Sequence, residues 1–215
     1  MEVQALIQAA GSGARLGLGP KAFVRLEGRT LLERALDPMR GMVDGLIVAV
    51  AAAEIARAQQ LLGDRATIIA GGVSRSETTR RLIAAASAPW LLLHDVVHPF
   101  ATDDLVNAVL DGARAHRACA PAVLNTEFVY GRDGARLHGP GELLIGQKPV
   151  AFARDAALAA YAAFEAGQGP ADPSLLDVLA CAGIATKFVE GSPRNIKITG
   201  PADLAIARAI LRLET

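Results

Sequence analysis

LIQAAGSGARLGLGPK, running from Leu6 to Lys21, is a short apolar run that breaks into four glycines and ends on a Pro-Lys pair. A β-strand that runs into glycines lets backbone N–H groups approach a ligand without Cβ interference, and successive N–H groups turned one way make an anion nest. Arg15 and Lys21 set two cations beside that nest, the first able to fork two phosphate oxygens and the second a flexible point charge. A polyphosphate suits such a loop better than a single phosphate. A dinucleotide-binding loop begins the same way, but it wants a third glycine where Leu16 stands. The Walker loop wants Ser or Thr after its lysine, where Ala22 stands. The alternative is a structural turn whose glycines only satisfy positive φ and whose cations are solvated.

Outward from this loop, short leucine-rich or β-branched runs alternate with helical patterns of about ten residues, which predicts a parallel sheet covered on both faces. LLERALDPMRG (residues 31–41) reads as a helix, GLIVAVA as a strand, AEIARAQQLLG as a helix and ATIIAGG as a strand. SETTRRLIAAA, WLLLHDVV, a helix capped by Thr102 or Asp103, and the strand ACAPAVL follow. The fold class is α/β: a doubly wound, mostly parallel sheet sandwiched by helices, in a single domain over residues 1–215. Such sheets bind ligands beyond the carboxyl ends of their strands, where the Gly11 loop, Gly71-Gly72 and Asp95 are all expected. Residues 127–146, EFVYGRDGARLHGPGELLIG, lose the helical period and predict a protruding β-arm. Beyond the arm come helices ARDAALAAYAAFEAG and PSLLDVLACAG, strands TKFVEG and NIKIT, and a terminal amphipathic helix.

With 22 basic and 22 acidic side chains the formal net charge is zero, so no global field draws in nucleic acid or an acidic membrane. Any anion site must be local. Two cysteines, Cys119 and Cys181, show no metal-ligand spacing, and their apolar surroundings predict reduced core thiols in a cytoplasmic protein. No apolar run approaches the roughly 18 residues of a membrane span, and an acidic Glu2 stands where a secretory leader would be basic.

AAGSGARLGLGPKAF resembles the signature loop of the nucleotidyltransferases that join a nucleoside triphosphate to a phosphorylated acceptor and release pyrophosphate. Among these it most resembles the 2-C-methyl-D-erythritol 4-phosphate cytidylyltransferase family. The resemblance implies CTP as substrate, Mg²⁺ as cofactor and a homodimer formed through the arm. It implies that Arg15 and Lys21 bind the triphosphate, although this loop is one residue shorter between them. It assigns Asp95, in LLLHDVVHP, to the metal, and Lys197, in SPRNIKITGPADL, to the α-phosphate region. A carboxylate closing a strand can hold Mg²⁺ against phosphate oxygens. Gly71, Gly72 and Thr78 resemble the segment that reads the base, opposite a wall of Ala9, Ala10, Gly11 and Gly13. Ser74 or Ser76 would cap the helix that follows.

On the acceptor side the chain departs from the family pattern. His98 stands for an Arg, Asn125 for an Asp, Phe128 for a Lys, Pro140 near an arm Arg, and Ala171 for a Thr, while Thr126 and Asp172 are retained. Lys148, Arg132 and Arg136 are substitute cations. His98 could hold phosphate when protonated, which makes that contact pH-sensitive at its ordinary pKa near 6.5. Two other readings follow from these departures: a nucleotidyltransferase for another phosphorylated acceptor, such as a pentitol phosphate, and a non-catalytic nucleotide-binding homologue.

Overall fold

A computed structural model describes residues 2–165 and 172–213. The elements in chain order are β1 (Val3–Gln8), a small hairpin of β2 (Arg25–Leu26) and β3 (Arg29–Thr30), α1 (Leu31–Leu36), β4 (Gly45–Val50), α2 (Ile55–Leu62) and β5 (Thr67–Ala70). Next come α3 (Arg75–Ala85), β6 (Trp90–Asp95), α4 (Asp103–His116), β7 (Ala118–Leu124), β8 (Val129–Tyr130), β9 (Arg136–His138), β10 (Leu144–Gly146) and β11 (Val150–Ala153). The chain finishes through α5 (Arg154–Glu165), α6 (Leu175–Cys181), β12 (Lys187–Glu190) and α7 (Pro201–Arg212). The part of the predicted helix beyond Glu165, and Ala171, lie outside the described residues.

Among the described residues, eight strands form one mixed sheet. Its spatial order runs β5-β4-β1-β6-β11-β7, with β10 antiparallel along Ala122–Leu124 of β7 and β12 parallel along Cys119–Ala122. β5, β4, β1 and β6 are mutually parallel, and β11 enters antiparallel between β6 and β7. Alternation along β1 explains its central place: Val3, Ala5 and Ile7 pack into one core, Leu6 into the other, and all are buried. One core is closed by Leu32 and Leu36 of α1, Leu62 of α2 and Val106 and Val109 of α4; the other by Leu82 of α3, Tyr161 of α5 and Leu179 of α6. The strand order reverses at β1, since β4 lies on one side of it and β6 on the other. That places a ligand crevice beyond Gln8, Val50 and Asp95.

Several expectations change. The 31–41 helix stops at Leu36, where Asp37–Met39 tightens into a 3₁₀ turn around Pro38, because proline cannot extend an α-helix. The stretch Val150–Ala153, which carries no predicted element, is a buried strand. NIKIT joins no ladder: it runs extended beside the sheet, tied by Ile198 N–H to the Val97 carbonyl (2.8 Å). Cys181 is exposed at the end of α6, and only Cys119 is a core thiol. The arm ends earlier than expected, for the β8–β9 hairpin protrudes while Leu144–Gly146 pairs with β7. No helix among the described residues is long and apolar enough to cross a membrane.

Candidate active site

Beyond the ends of β1, β5 and β6 lies a cleft of about 560 Å³, within the usual range for a small-molecule site. Gln8, Ala10 to Arg15, Lys21, Gly72 to Arg75, Thr78, Asp95 to Val97 and Lys197 line it. The glycine loop is a built structure. Gly13 has φ +72°, and a Cβ there would collide with the Gly19 carbonyl oxygen, so only glycine lets the loop fold back on itself. Leu16 and Gly17 N–H groups both donate to the Gly13 carbonyl (2.9 and 3.0 Å). Leu16, at the position where a dinucleotide loop has its third glycine, is buried against Leu26, Leu31, Ile198 and Leu204. Burying such a leucine stabilises the loop by roughly 1.5–3 kcal/mol. The backbone N–H groups of Gly11 to Arg15 meet no acceptor among the described residues, which leaves them for an anion.

Cations stand on both sides of that nest. Lys21 crosses to the C-terminal segment, donating to the carbonyls of Ile198 (3.1 Å) and Thr199 (3.4 Å), and burial, Arg15 and Lys197 lower its pKa. Lys197 and Arg15 are exposed in the cleft. The Lys197 segment is itself fixed: the Asp203 carboxylate accepts from Thr199 and Gly200 N–H groups at the start of α7, and Asn195 Nδ2 donates to the Lys148 carbonyl (2.7 Å). The Pro-x-Asp-Leu motif is thus a helix start with Pro201 in its first turn.

On the opposite wall, Gly71 exists to let two loops touch, since a Cβ there would lie 2.6 Å from that of Ala10. Thr78 Oγ1 accepts from Gly72 N–H (3.0 Å) and donates to the Ser74 carbonyl (2.9 Å). Its hydroxyl therefore stiffens the wall. Ser74 caps α3, as expected. Ala9 belongs to the core and not to the wall, because its N–H pairs with Ala49 and its side chain packs under the sheet.

Asp95 is more deeply placed than a loop carboxylate at a strand end would be, at 6% exposure. Its Oδ2 accepts from Arg75 Nη2 at 3.0 Å, while its Oδ1 is buried with no hydrogen-bond partner among the described residues. Burial acts to raise the Asp95 pKa, but Lys148, Arg75 and the two nearby imidazoles outweigh it and hold the carboxyl below its ordinary value. An ionised buried oxygen without a donor suits a hard cation, and among the described residues no group of three His, Cys, Asp or Glu side chains could cage one. One carboxylate completed by phosphate oxygens is the Mg²⁺ pattern.

The acceptor-side residues divide. Lys148 is half-buried near Asp95, its ammonium in no hydrogen bond or ion pair among the described residues, and burial pushes its pKa down to about 8 against the pull of Asp95. His98 is 6% exposed with Nδ1 3.4 Å from the Asn195 carbonyl, and burial pushes its pKa down to about 4. It is thus a buried neutral ring in the unliganded chain at pH 7 and not the solvent-facing cation expected. His94 is fully buried in β6, its Nε2 donating to the His98 carbonyl (3.0 Å), with its pKa pushed down to about 3 by burial. Asp172 is used as a cap, its Oδ1 accepting from Ser76 N–H (2.8 Å) at the start of α3. Thr126, Arg132 and Arg136 lie on or beside the arm and do not line this cleft. Sequence reasoning missed Gln8 and Arg75. The Arg in AGGVSRSETT was a signal for the second, being a cation at a glycine-marked strand end.

The fold and cleft define an α/β protein shaped to hold a nucleoside polyphosphate beside one carboxylate. The sequence pattern of 2-C-methyl-D-erythritol 4-phosphate cytidylyltransferase matches residues 3–213, and the chain belongs to that family. A protein of that name from Deinococcus radiodurans is 38% identical over 209 residues, covering 96% of this chain and 88% of the relative. Another from Thermus thermophilus is 36% identical over 220 residues, covering 99% of each. A crystal structure of 2-C-methyl-D-erythritol 4-phosphate cytidylyltransferase from Thermus thermophilus superposes with a TM-score of 0.82 at 31% identity, covering 99% of this chain and 100% of that one.

Proposed function

We propose that this chain transfers the cytidylyl group of CTP to 2-C-methyl-D-erythritol 4-phosphate, releasing pyrophosphate, as a step of non-mevalonate isoprenoid biosynthesis. We take it to be a single-domain, homodimeric, Mg²⁺-dependent enzyme of the cytoplasm. The observation that carries this reading is the convergence on one anion nest of Arg15, Lys21 and Lys197 with a buried carboxylate oxygen that has no internal partner. Family membership supplies the identity of the substrates.

A phosphate oxygen of the acceptor attacks the α-phosphorus, a P–O bond forms, and the bond from that phosphorus to the bridging oxygen of the β-phosphate breaks. Pyrophosphate leaves with the electron pair. An acceptor phosphate attacks as an anion, so no side chain has to remove a proton, and the neutral His94 and His98 are consistent with that. The chain's task is to align two anions and offset their charge. The Gly11–Arg15 N–H groups with Arg15 and Lys21 hold the β- and γ-phosphates, and Lys197 stands beside the α-phosphate. Asp95 would hold Mg²⁺ through its free oxygen, which supplies charge neutralisation on the phosphate oxygens and on the departing pyrophosphate. Lys148 takes the acceptor phosphate, offsetting the arginine replaced by His98. The arm, with Thr126, Arg132 and Arg136, completes the acceptor pocket of the partner subunit.

Pyrophosphate release measured across CTP, UTP and GTP with methylerythritol phosphate and a pentitol phosphate tests the reading. Turnover confined to CTP with methylerythritol phosphate supports it. Faster turnover with the pentitol phosphate would transfer the assignment to the alternative acceptor, and none with any pair would leave a nucleotide-binding homologue.

A further inference from the structure

The guanidinium of Arg75 joins the two walls of the cleft. Its Nη2 donates to Asp95 Oδ2 (3.0 Å) at the end of β6, and its Nε donates to Gln8 Oε1 (3.3 Å) at the end of β1. Gln8 is itself held, since its amide nitrogen donates to Thr79 Oγ1 and to the Arg75 carbonyl (3.3 Å). Thr79 Oγ1 donates to that same carbonyl (3.0 Å). The loop closes on itself: Gln8 touches both ends of Arg75, its backbone and its side chain. Arg75 also opens α3, directly after the Ser74 cap and the Gly72–Thr78 wall.

A solvated cation at a helix start needs none of this, and a helix start is a poor place for positive charge, because the macrodipole there favours anions. The position makes sense if a planar fork is required that can address two acceptors at a fixed angle. Asp95 Oδ2 is thereby occupied and its carboxylate plane set, while Oδ1 stays without a donor although buried. Losing a group that orients a metal's ligand typically costs about 10–100-fold in metal affinity or activity.

We propose that Arg75, anchored by Gln8, is a positioning residue that sets the Asp95 carboxylate so that one oxygen is kept for the divalent cation. The base-side wall and the metal carboxylate then form one unit. This inference rests on the reading of Asp95 as the metal-binding group, and its test separates the two.

Charge-conserving variants decide it. Arg75→Lys keeps the cation but loses the planar Nε–Nη2 fork that addresses Gln8 and Asp95 at a fixed angle, and Gln8→Ala removes the anchor without altering charge. Neither changes the field at the metal appreciably, so any loss is one of geometry. Mn²⁺ binding to the enzyme with a non-hydrolysable CTP analogue, followed by electron paramagnetic resonance, is the readout, with Asp95→Asn as reference. Both variants should weaken Mn²⁺ binding about tenfold and lower kcat comparably, while binding of the analogue without metal stays within about twofold of wild type. A wild-type Mn²⁺ affinity in either variant, with Asp95→Asn impaired, overturns the proposal for Arg75. A wild-type affinity in Asp95→Asn overturns the reading of Asp95, and this one with it.

Discussion

Lys21 Nζ donates to the carbonyls of Ile198 and Thr199, 177 and 178 residues along the chain, so the glycine loop and the Lys197 segment are tied by the side chain of a cleft-lining cation. The bond has two consequences. It holds the ammonium at the cleft instead of in bulk water, and it makes the loop depend on α7, whose start is capped by Asp203.

Lys21→Ala should therefore lower kcat/KM by about two to three powers of ten, the usual effect of losing a charged transition-state contact. The fold should persist, because Leu16 still anchors the loop in the core. Far-ultraviolet circular dichroism and steady-state kinetics on the same preparation check both statements. A variant with near-wild-type kcat/KM would remove Lys21 from the triphosphate site.

Asp95→Asn should be a different kind of lesion. It should lose activity to a similar extent, yet also lower Tm by a few degrees, because the Arg75 fork and Lys148 are left facing each other without the carboxylate between them. Thermal melts decide this: an unchanged Tm would mean that Arg75 and Lys148 relax into solvent and that the ion pair is structurally idle.

Stability should fall on mild acidification. His94 and His98 are buried neutral, with pKa values of about 3 and about 4, against an ordinary 6.5 in the unfolded chain. Between those values the unfolded state binds protons that the native state refuses, so stability is complete above about pH 6.5 and drains as pH falls toward 4. Each imidazole contributes up to about 1.4 kcal/mol per pH unit in that window. Urea midpoints measured between about pH 8 and pH 5 should show the slope, and His98→Asn should make it shallower. The acceptor KM, in contrast, should show no inflection attributable to His98. Parallel slopes in variant and wild type would contradict the assignment of buried neutral histidine.

The apolar residues of the arm and of the adjoining sheet end predict a dimer. Leu124, Phe128, Tyr130, Leu137, Leu144 and Ile145 are each more than half exposed in the single chain. Apolar surface exposed on the hairpin and on the neighbouring sheet edge is what an interface with a second copy would cover. Sedimentation should give a dimer, and Leu144→Glu with Ile145→Glu should yield monomers with a raised acceptor KM. A wild-type monomer that is fully active when dilute would exclude an acceptor pocket completed by the partner subunit.

The sequence made the sheet and its cleft end legible for a local reason: glycines, a Pro-Lys pair and an Asp closing an apolar run are each within one short stretch. Leu16 was readable as a departure from two other loops, but not as the core anchor it is, because its partners Ile198 and Leu204 are remote in sequence. The fate of His98 was illegible for the same reason. Whether an imidazole is a solvent-facing cation or a buried neutral ring depends on Asn195 and the surrounding packing, which no local pattern encodes. Arg75 and Gln8 were missed because their link closes over 67 residues. NIKIT looked like a strand by composition, yet its backbone partners are single contacts rather than a ladder.

The central claim is tested most directly by phosphorus NMR of the purified chain incubated with CTP, Mg²⁺ and 2-C-methyl-D-erythritol 4-phosphate. The account predicts a pair of coupled diphosphate doublets from a cytidylyl-diphospho-polyol, appearing in step with free pyrophosphate and absent in Asp95→Asn. Unchanged CTP and acceptor resonances under the same conditions, with the nucleotide bound, would contradict it.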